Sequence, residues 1–329
     1  MKNIEVGSAS VEIIKEAAQI IKSGGLVAFP TETVYGLGAN ALCKEACAKI
    51  YEAKGRPSDN PLIVHINKGF ELVRVAREVP RGAQALMDAF SPGPLTVILP
   101  ARPGVFAYGY GDTVAVRIPG GIAARLLIHH ADVPIAAPSA NLSGRPSPTT
   151  AQHVLEDLDG KIDMVLDGGV CKHGVESTVV DFTSDTPKIL RPGAITQEMI
   201  AEVIGKVAMA TADEPAKSPG MNYKHYAPKA KMTLVEGEPA VVATKILELM
   251  AQSQAENPVI LIPSSDKSLY GQASIMQLGR RPEEIAAGIY SALRRCDELG
   301  HDEIFVQGVE ETGIGVAIMN RLRKAAGNT

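Results

Sequence analysis

The segment at residues 30–40, PTETVYGLGAN, constrains the fold of this chain more than any other stretch. It follows an apolar run at residues 26–29 and precedes a pattern typical of a helix. It combines hydroxyl side chains, one carboxylate and two glycines. A strand that ends in polar residues and a small turn is a common position for a ligand pocket in an open α/β sheet. A polar turn without a ligand is the alternative, because loops are polar by default.

The same alternation of short apolar runs and amphipathic patterns recurs along the first two thirds of the chain. Helical patterns occur at residues 10–22, 44–53, 70–77, 81–89, 122–130, 151–158 and 196–204. Strand patterns occur at residues 26–29, 62–66, 95–99, 114–118, 133–137, 164–166, 177–182 and 188–192. This alternation predicts an α/β fold with helices covering a sheet.

A second set of patterns begins near residue 231. Strand patterns at 232–235, 259–262, 274–278 and 303–306 alternate with helical patterns at 241–252, 283–299 and 316–326. We therefore expect a first α/β domain at residues 1–206, a linker or lid at 207–230, and a smaller Rossmann-like α/β domain at 231–329. The linker holds the sequence MNYKHY at 221–226, and two tyrosines and a histidine indicate a segment that packs on something rather than a passive spacer.

Composition excludes several classes of protein. Hydrophobic residues make up 45% of the 329 residues and Trp is absent, so the core must be aliphatic. The net charge of -4 gives no bulk attraction to nucleic acid or membrane. No run approaches the roughly 18 apolar residues of a spanning helix, and the four cysteines form no C-x-x-C pair. A reducing, cytoplasmic setting without a cysteine metal site is expected.

Cations and short polar side chains gather at the ends of the predicted strands. Lys54 and Arg56 follow a helix, and Ser139, Asn141 and Arg145 follow a strand. If the sheet brings these ends together, the pocket suits phosphate together with ribose, base or an amino acid. Each of these residues taken alone is more typical of a solvated turn.

Two further arginines support the pocket as a group. Arg117 and Arg191 each end a buried strand and need a partner there, because a buried cation without one is costly. Ser177 stands at the start of another predicted strand, in the same set of strand ends.

Common nucleotide and hydrolase motifs are missing. There is no G-x-x-x-x-G-K-[ST], no G-x-S-x-G and no H-E-x-x-H. GIGVAI at residues 313–318 lacks the third glycine of a dinucleotide fingerprint and is interpreted as the start of a helix.

Five segments, residues 26–40, 54–66, 134–149, 175–178 and 191–193, resemble the YrdC-like family over long, nearly continuous stretches. Residues 218–228 and the second α/β region resemble its two-domain version. The resemblance implies a twisted open mixed sheet with a concave, positively charged face. It implies an L-threonylcarbamoyladenylate synthase, a nucleotidyltransferase that combines L-threonine, bicarbonate or CO2, and ATP into threonylcarbamoyl-AMP and pyrophosphate for modification of tRNA.

The resemblance also assigns residues to the two substrates. Its K-x-R and S-x-N signatures are residues 54–56 and 139–141, and Lys54 and Arg56 are the implied catalytic cations. The residues expected to bind ATP are Lys54, Arg56, Ser58, Thr113, Ser139, Asn141, Arg145, Arg191 and Tyr223. Those expected around L-threonine are Thr31, His65, Arg117, Ala137 and Ser177. Arg117 is the natural partner of the threonine carboxylate, because its planar fork suits bidentate pairing.

No protein metal site is expected, and Mg²⁺ should be carried by the ATP phosphates. A downstream threonylcarbamoyl-transfer machinery should take the product, with at most weak tRNA contact and no membrane contact. His65 could orient threonine, accept a proton, or simply be a hydrogen-bonded strand-end histidine.

Two alternative functions remain open at this point. One is an RNA-binding module that uses the same concave basic face, which the lack of basic excess and of stacking aromatics does not favour. The other is a carbamoyl-adenylate step in hydrogenase maturation, where a similar domain occurs beside C-x-x-C repeats that this chain lacks.

Overall fold

A computed structural model describes residues 2–5, 11–69, 72–105, 112–211 and 226–327 of the chain. The chain divides into two compact units. The first is Met1–Ser143 with Ser147–Asn222, and the second is Gly144–Pro146 with Tyr223–Thr329. The domain limits expected from the sequence, at 206 and 231, stay a prediction.

The first unit is built on a mixed sheet with the strand order β1-β8-β2-β3-β7-β4-β6-β5-β9-β10-β11. Its strands are β1 (Lys2–Glu5), β2 (Val27–Phe29), β3 (Gly36–Asn40), β4 (Ile63–His65), β5 (Leu95–Pro100), β6 (Thr113–Arg117), β7 (Ile135–Ala136), β8 (Met164–Asp167), β9 (Thr178–Asp181), β10 (Lys188–Arg191) and β11 (Ala208–Met209). Its helices are α1 (Val11–Lys22), α2 (Lys44–Lys54), α3 (Arg81–Phe90), α4 (Ile122–Ala131), α5 (Ala151–Leu158) and α6 (Gln197–Ile204). The large mixed sheet with helices confirms the predicted fold class.

The helices form where the sequence periodicity places an apolar stripe and a stop signal. In α1 the buried residues Ile14, Ala17 and Ile21 recur at helical spacing. Helix α2 ends at Gly55, which adopts the left-handed conformation with φ 59°. Thr196 caps α6 as predicted, because its side chain accepts a hydrogen bond from the backbone N–H of Met199.

Two local predictions were wrong. The second half of the segment at 30–40 is not a turn into a helix but strand β3, which pairs antiparallel with β2. Its glycines fit beneath Phe29, where a larger residue would collide. The helix predicted at 70–77 is only a 3-10 turn at Leu72–Arg74, and residues 70–71 lie outside the described residues.

The strand register gathers polar side chains on one face of the sheet. His65 pairs with Arg117, and Arg117 pairs with Thr96 on its other side. Directly paired residues point to the same face, so these three side chains are neighbours. Ile135 also pairs with His65, which puts the apolar cluster around Ile135 on this face.

Helices cover only part of that face. Residues of α1 and α4 pack on Phe29, Ile135 and their neighbours in one cluster. The next cluster along the face consists of strand residues alone among those described. Its members are Ile63, Ile98, Ala115, Val179 and Leu190. The candidate site residues Arg117 and Thr113 on β6 therefore share a face with this strand-only cluster, and His65 lies beside the helix-covered one.

The second unit has an all-parallel sheet of four strands in the order β12-β15-β13-β14. The elements are β12 (Lys231–Val235), α7 (Pro239–Gln252), β13 (Pro258–Ile262), β14 (Ile275–Gln277), α8 (Pro282–Glu298), β15 (Glu303–Gln307) and α9 (Gly315–Ala326), with a 3-10 turn at Ser264–Tyr270. The last strand inserts between the first two, and GIGVAI is the start of α9, as predicted. No helix in the described ranges is both long and apolar enough to cross a membrane.

Candidate active site

The loop after β2 is fixed by its own hydroxyl groups. Thr31 Oγ1 donates to the carbonyl of Val34 at 2.6 Å and accepts from the backbone N–H groups of Thr33 and Val34. Hydroxyl–backbone bonds of this kind stabilise a tight turn without regular structure. Both threonines are buried, so the loop presents a defined surface rather than a solvated tip.

Arg117 reaches that loop from β6. Its Nη2 donates to Glu32 Oε1 at 2.6 Å and to Thr33 Oγ1 at 2.9 Å, and its Nε donates to the carbonyl of Gly93 at 3.4 Å. The two charged side chains are only 5% and 12% exposed. The prediction that Arg117 needs a partner is confirmed, and the partner in this structure is Glu32.

Glu32 is held as a carboxylate. Its Oε2 accepts from the backbone N–H groups of Gly120 at 2.8 Å and Gly121 at 3.2 Å. Burial opposes ionisation, but Arg117 and these hydrogen bonds outweigh it and keep the pKa of Glu32 below its usual range. The ion pair therefore persists at neutral pH and fixes the direction of the Arg117 fork.

His65, opposite Arg117 in the register, is neutral. Its Nδ1 lies 3.1 Å from the carbonyl of Ile63, and the ring meets Phe29 edge-on at 6.1 Å between centroids. Burial, assisted by the nearby Arg117 charge, lowers the pKa of His65 to about 3. Of the three roles considered for this histidine, the structure favours an orienting or purely structural one over proton transfer near neutral pH.

A row of polar side chains extends from Arg117 across the face. Thr96, the register partner of Arg117, shares a 2.7 Å hydrogen bond with Ser177. Arg191 donates from Nε to the Ser177 carbonyl at 3.1 Å and from Nη2 to the Ser177 hydroxyl at 3.1 Å. Arg191 thus has the buried partner that the sequence required, and Ser177 links the predicted threonine residues to a predicted ATP residue.

The K-x-R and S-x-N signatures meet through main-chain groups. Lys54 Nζ donates to the carbonyls of Ser139 at 2.6 Å and Asn141 at 2.5 Å, and the Ser143 N–H donates back to the Lys54 carbonyl at 2.9 Å. The Ser139 hydroxyl donates to Asn141 Oδ1 at 2.5 Å. These carbonyl acceptors orient the lysine, so a fixed ammonium group supports the serine–asparagine loop.

Arg56 is also held by carbonyl oxygens. It donates from Nε to Asn60 at 3.3 Å and from Nη2 to Pro61 at 2.9 Å. Ser58, in the same loop, is exposed. Thr113 begins β6 on the face that carries Arg117, four residues along the strand.

The remaining predicted residues are placed as follows. Ala137 is buried, and its N–H donates to the carbonyl of Ile63 at 2.9 Å, next to His65. Arg145 belongs to the second unit and lies 3.9 Å from Asp297. Tyr223 lies outside the described residues. Within the described part of the chain, no group of three or more His, Cys, Asp or Glu side chains could hold a metal ion.

Sequence comparison assigns the chain to a family. A family model described as "Telomere recombination" matches residues 19–193, and one described as "Threonylcarbamoyl-AMP synthase, C-terminal domain" matches residues 195–327. Threonylcarbamoyl-AMP synthase of Pyrococcus abyssi is 49% identical over 322 residues, which cover 95% of this chain and 94% of the relative. That of Bacillus subtilis is 47% identical, with 95% and 93% covered.

The chain belongs to the threonylcarbamoyl-AMP synthase family.

Solved structures of this family support the assignment. The crystal structure of P. abyssi Sua5 complexed with L-threonine has a TM-score of 0.92 and 46% identity, and covers 100% of this chain and 98% of that chain. The predicted YrdC-like, two-domain resemblance is confirmed. The predicted function is that of the curated threonylcarbamoyl-AMP synthases, and the RNA-binding alternative is not favoured.

Three residues of the site were not among the predicted site residues. Glu32 and Thr33 hold Arg117, and Thr96 connects it to Ser177. Glu32 and Thr33 lie in the segment at residues 30–40. A carboxylate in a predicted ligand loop is the sequence feature that could have identified Glu32 as a site residue. Thr96 gave no such signal, because a threonine in an apolar strand is ordinary.

Proposed function

We propose that this chain forms threonylcarbamoyl-AMP and pyrophosphate from L-threonine, bicarbonate or CO2, and ATP, for threonylcarbamoyladenosine modification of tRNA. The observation that carries the proposal is near full-length identity of 47–49% to two threonylcarbamoyl-AMP synthases. The connected cluster of Arg117, Thr96, Ser177 and Arg191 supports it as a place for a small charged substrate.

L-threonine is proposed to bind at Thr31, His65, Arg117, Ala137 and Ser177. Arg117 is anchored through Nη2 and Nε, so the substrate carboxylate would add to an arginine that is already oriented. Glu32 supplies that orientation, and it keeps the arginine from turning away when the pocket is empty. Pre-organised donors of this kind reduce the ordering cost of binding.

ATP is proposed to bind at Lys54, Arg56, Ser58, Thr113, Ser139, Asn141, Arg145, Arg191 and Tyr223. Lys54 and Arg56 are the proposed catalytic cations. Each donates to main-chain carbonyls, which hold the cationic group at a fixed place. Mg²⁺ is proposed to arrive with ATP, where it would neutralise part of the phosphate charge.

The proposed reaction needs no nucleophilic side chain. The neutral amine of threonine adds to CO2 and loses a proton, which gives a carbamate. A carbamate oxygen attacks the α-phosphorus in line, the bond to the β-phosphate oxygen breaks, and pyrophosphate leaves. Negative charge develops on phosphate oxygens, so positioning and fixed cations should supply most of the acceleration.

The experiment that tests the proposal is conversion of ATP to AMP and pyrophosphate by the purified full-length chain. Pyrophosphate should form only when both L-threonine and bicarbonate are present. Mass spectrometry should detect threonylcarbamoyl-AMP among the products. Pyrophosphate release that ignores threonine would contradict the proposal.

The roles of the cations have a separate test. Lys54→Ala or Arg56→Ala should lower turnover by roughly 10²–10³, because each removes a fixed charge near the developing oxyanions. Lys49→Ala is the matched control for Lys54→Ala, since Lys49 lies on the same helix and its exposed Nζ bonds the carbonyl of Gly24. Turnover near wild type in the Lys54 and Arg56 variants would remove both residues from the catalytic role.

A further inference from the structure

Three residues from the middle of the chain belong to the second unit. Gly144–Pro146 group with Tyr223–Thr329 rather than with the residues that flank them in sequence. The carbonyl of Gly144 accepts a 2.9 Å hydrogen bond from the N–H of Ala227. The carbonyl of Pro146 accepts a 2.7 Å hydrogen bond from Arg294 Nη2. The main chain is therefore held on both sides of Arg145.

Helix α8 also contacts the Arg145 side chain. Asp297 Oδ2 lies 3.9 Å from Arg145 Nη2, and the two side chains are 5% and 26% exposed. Asp297 Oδ1 accepts from the N–H of Lys229 at 2.8 Å, which fixes the carboxylate. Oδ2 is buried and has no hydrogen-bond partner among the described residues, so its partner is the arginine charge.

Arg294 and Asp297 lie on a well-packed part of helix α8. Arg294 and Asp297 are three positions apart, so their side chains lie on the same face of α8. Arg294 is only 1% exposed. One turn earlier, Tyr290 is fully buried and packs against Tyr226 with 5.3 Å between ring centroids. A side chain presented by such a helix has little freedom to move.

We propose that Asp297 and Arg294 are positioning residues that hold Arg145 in the orientation in which it binds ATP. The inference rests on the proposed function, in which Arg145 is an ATP-binding residue. Arg294 fixes the main chain of the segment, and Asp297 directs the guanidinium. A long, flexible arginine loses rotamer freedom when it binds an anion, and one that is already held loses less.

The decisive experiment is a double-mutant cycle between Asp297→Asn and Arg145→Met in the full-length chain, with the Kd for ATP measured by calorimetry. Asp297→Asn keeps the shape of the side chain and an acceptor for Lys229, but it removes the charge that faces Arg145. We expect it to weaken ATP binding about tenfold while the KM for threonine stays within about twofold. In the Arg145→Met background the same change should have no further effect.

Neighbouring residues provide controls. Glu298→Gln and Arg295→Met remove the exposed ion pair between Arg295 and Glu298 on the same helix, and both should leave the Kd for ATP unchanged. Arg294→Met should weaken ATP binding as Asp297→Asn does, with thermal unfolding measured beside it. If Arg294→Met does not fold, the Asp297→Asn cycle decides alone.

Two results would overturn the inference. One is an unchanged Kd for ATP in Asp297→Asn, and the other is an equal loss of affinity with and without Arg145. Because the readout is ATP binding, both are distinguishable from failure of the proposed function, which would appear as absence of threonine-dependent pyrophosphate release in the wild type.

Discussion

The cations of the site are held by two different kinds of partner. Lys54 and Arg56 donate to main-chain carbonyls, whereas Arg117 pairs with the carboxylate of Glu32. A carbonyl orients a cation, and a carboxylate also balances its charge. The carbonyls fix the directions of the Lys54 and Arg56 side chains, and the carboxylate suits an arginine that must point in one direction in a buried place.

Loss of the Glu32 charge should therefore affect both stability and threonine binding. Glu32→Gln is expected to lower the free energy of unfolding by about 3 kcal/mol, because the buried Arg117 loses its counter-charge. The KM for threonine should rise by about tenfold, since Arg117 is no longer held in place. Chemical denaturation and steady-state kinetics measure the two effects.

Glu12→Gln is the control for that change, because Glu12 forms an exposed ion pair with Lys15. Its free energy of unfolding should stay within about 0.5 kcal/mol of the wild type. A Glu32→Gln protein as stable as Glu12→Gln would show that the Arg117–Glu32 pair contributes nothing net.

The buried neutral His65 predicts a specific acid sensitivity. Its pKa is lowered from 6.5 to about 3 on folding, so between these values the unfolded chain binds a proton that the folded chain does not. The contribution of His65 to the free energy of unfolding is fully present above pH 6.5. It falls by about 1.4 kcal/mol per pH unit as the pH drops toward 3.

His65→Gln should flatten that part of the stability curve. Urea unfolding at pH 7, 6, 5 and 4 measures the slope for wild type and variant, and the exposed His129→Gln serves as control. The variant is expected to lose less stability than wild type on acidification, whatever its stability at pH 7. Parallel curves would mean that His65 takes up a proton in the folded protein.

At the scale of the element, strand β3 depends on its glycines. A Cβ at Gly38 would lie 2.8 Å from Phe29 Cε1 and 2.9 Å from Ile135 Cγ2. At Gly36 the nearest atom, Phe29 Cζ, would be 3.2 Å away. Small residues let β3 pass beneath the Phe29 ring, which in turn packs edge-on against His65.

Gly38→Ala should consequently destabilise the protein by about 1–3 kcal/mol through overpacking. Gly36→Ala should lower the free energy of unfolding by less, because its added Cβ would lie farther from Phe29. Both substitutions add one methyl group to the same strand. Thermal or chemical unfolding of the two variants gives the order. Equal losses would indicate a general effect of alanine in this strand rather than the collision at Gly38.

The elements that sequence predicted well are those with clear periodicity. Helices α1 and α8 begin and end within one residue of their predicted limits. Strand β3 was missed because two of its five residues are glycine, which removes the alternating pattern and lowers β propensity. Strand β11, only two residues long, lies in the predicted linker.

The sequence also predicted that Arg117 needs a buried partner, but it did not identify that partner. Arg117 required a buried partner, but Glu32 lies 85 residues away in the chain. The pairing depends on β4, β6 and β7 lying side by side, and strand order cannot be read from local periodicity. The predicted threonine and ATP residues came from family resemblance for the same reason.

At the scale of the whole molecule, the second unit contains one of the residues predicted to bind ATP. Arg145 belongs to that unit with Gly144 and Pro146. Some relatives match only part of the chain. A putative threonylcarbamoyl-AMP synthase of Mycobacterium tuberculosis is 38% identical over 195 residues, which cover 89% of that protein but 58% of this chain. Part of this chain therefore corresponds to nearly the whole of that relative, and in this chain Arg145 contacts α8.

Removing the second unit should separate folding from activity. A chain that ends at Lys217 keeps the mixed sheet and its two main clusters, so it should unfold cooperatively in urea. It loses Ala227, Arg294 and Asp297, so the contacts that these three residues make with residues 144–146 are lost. Threonine-dependent pyrophosphate release should fall by at least about tenfold, with a weaker Kd for ATP.

The same fragment tests the predicted lid, since it also lacks Tyr223. A fragment that binds ATP as the full chain does but turns over slowly would assign the second part of the chain to closure over the water-sensitive carbamate and adenylate. A fragment that binds ATP weakly would assign it to holding Arg145. Full activity with full affinity would exclude both roles, because the mixed sheet would then carry the whole reaction by itself.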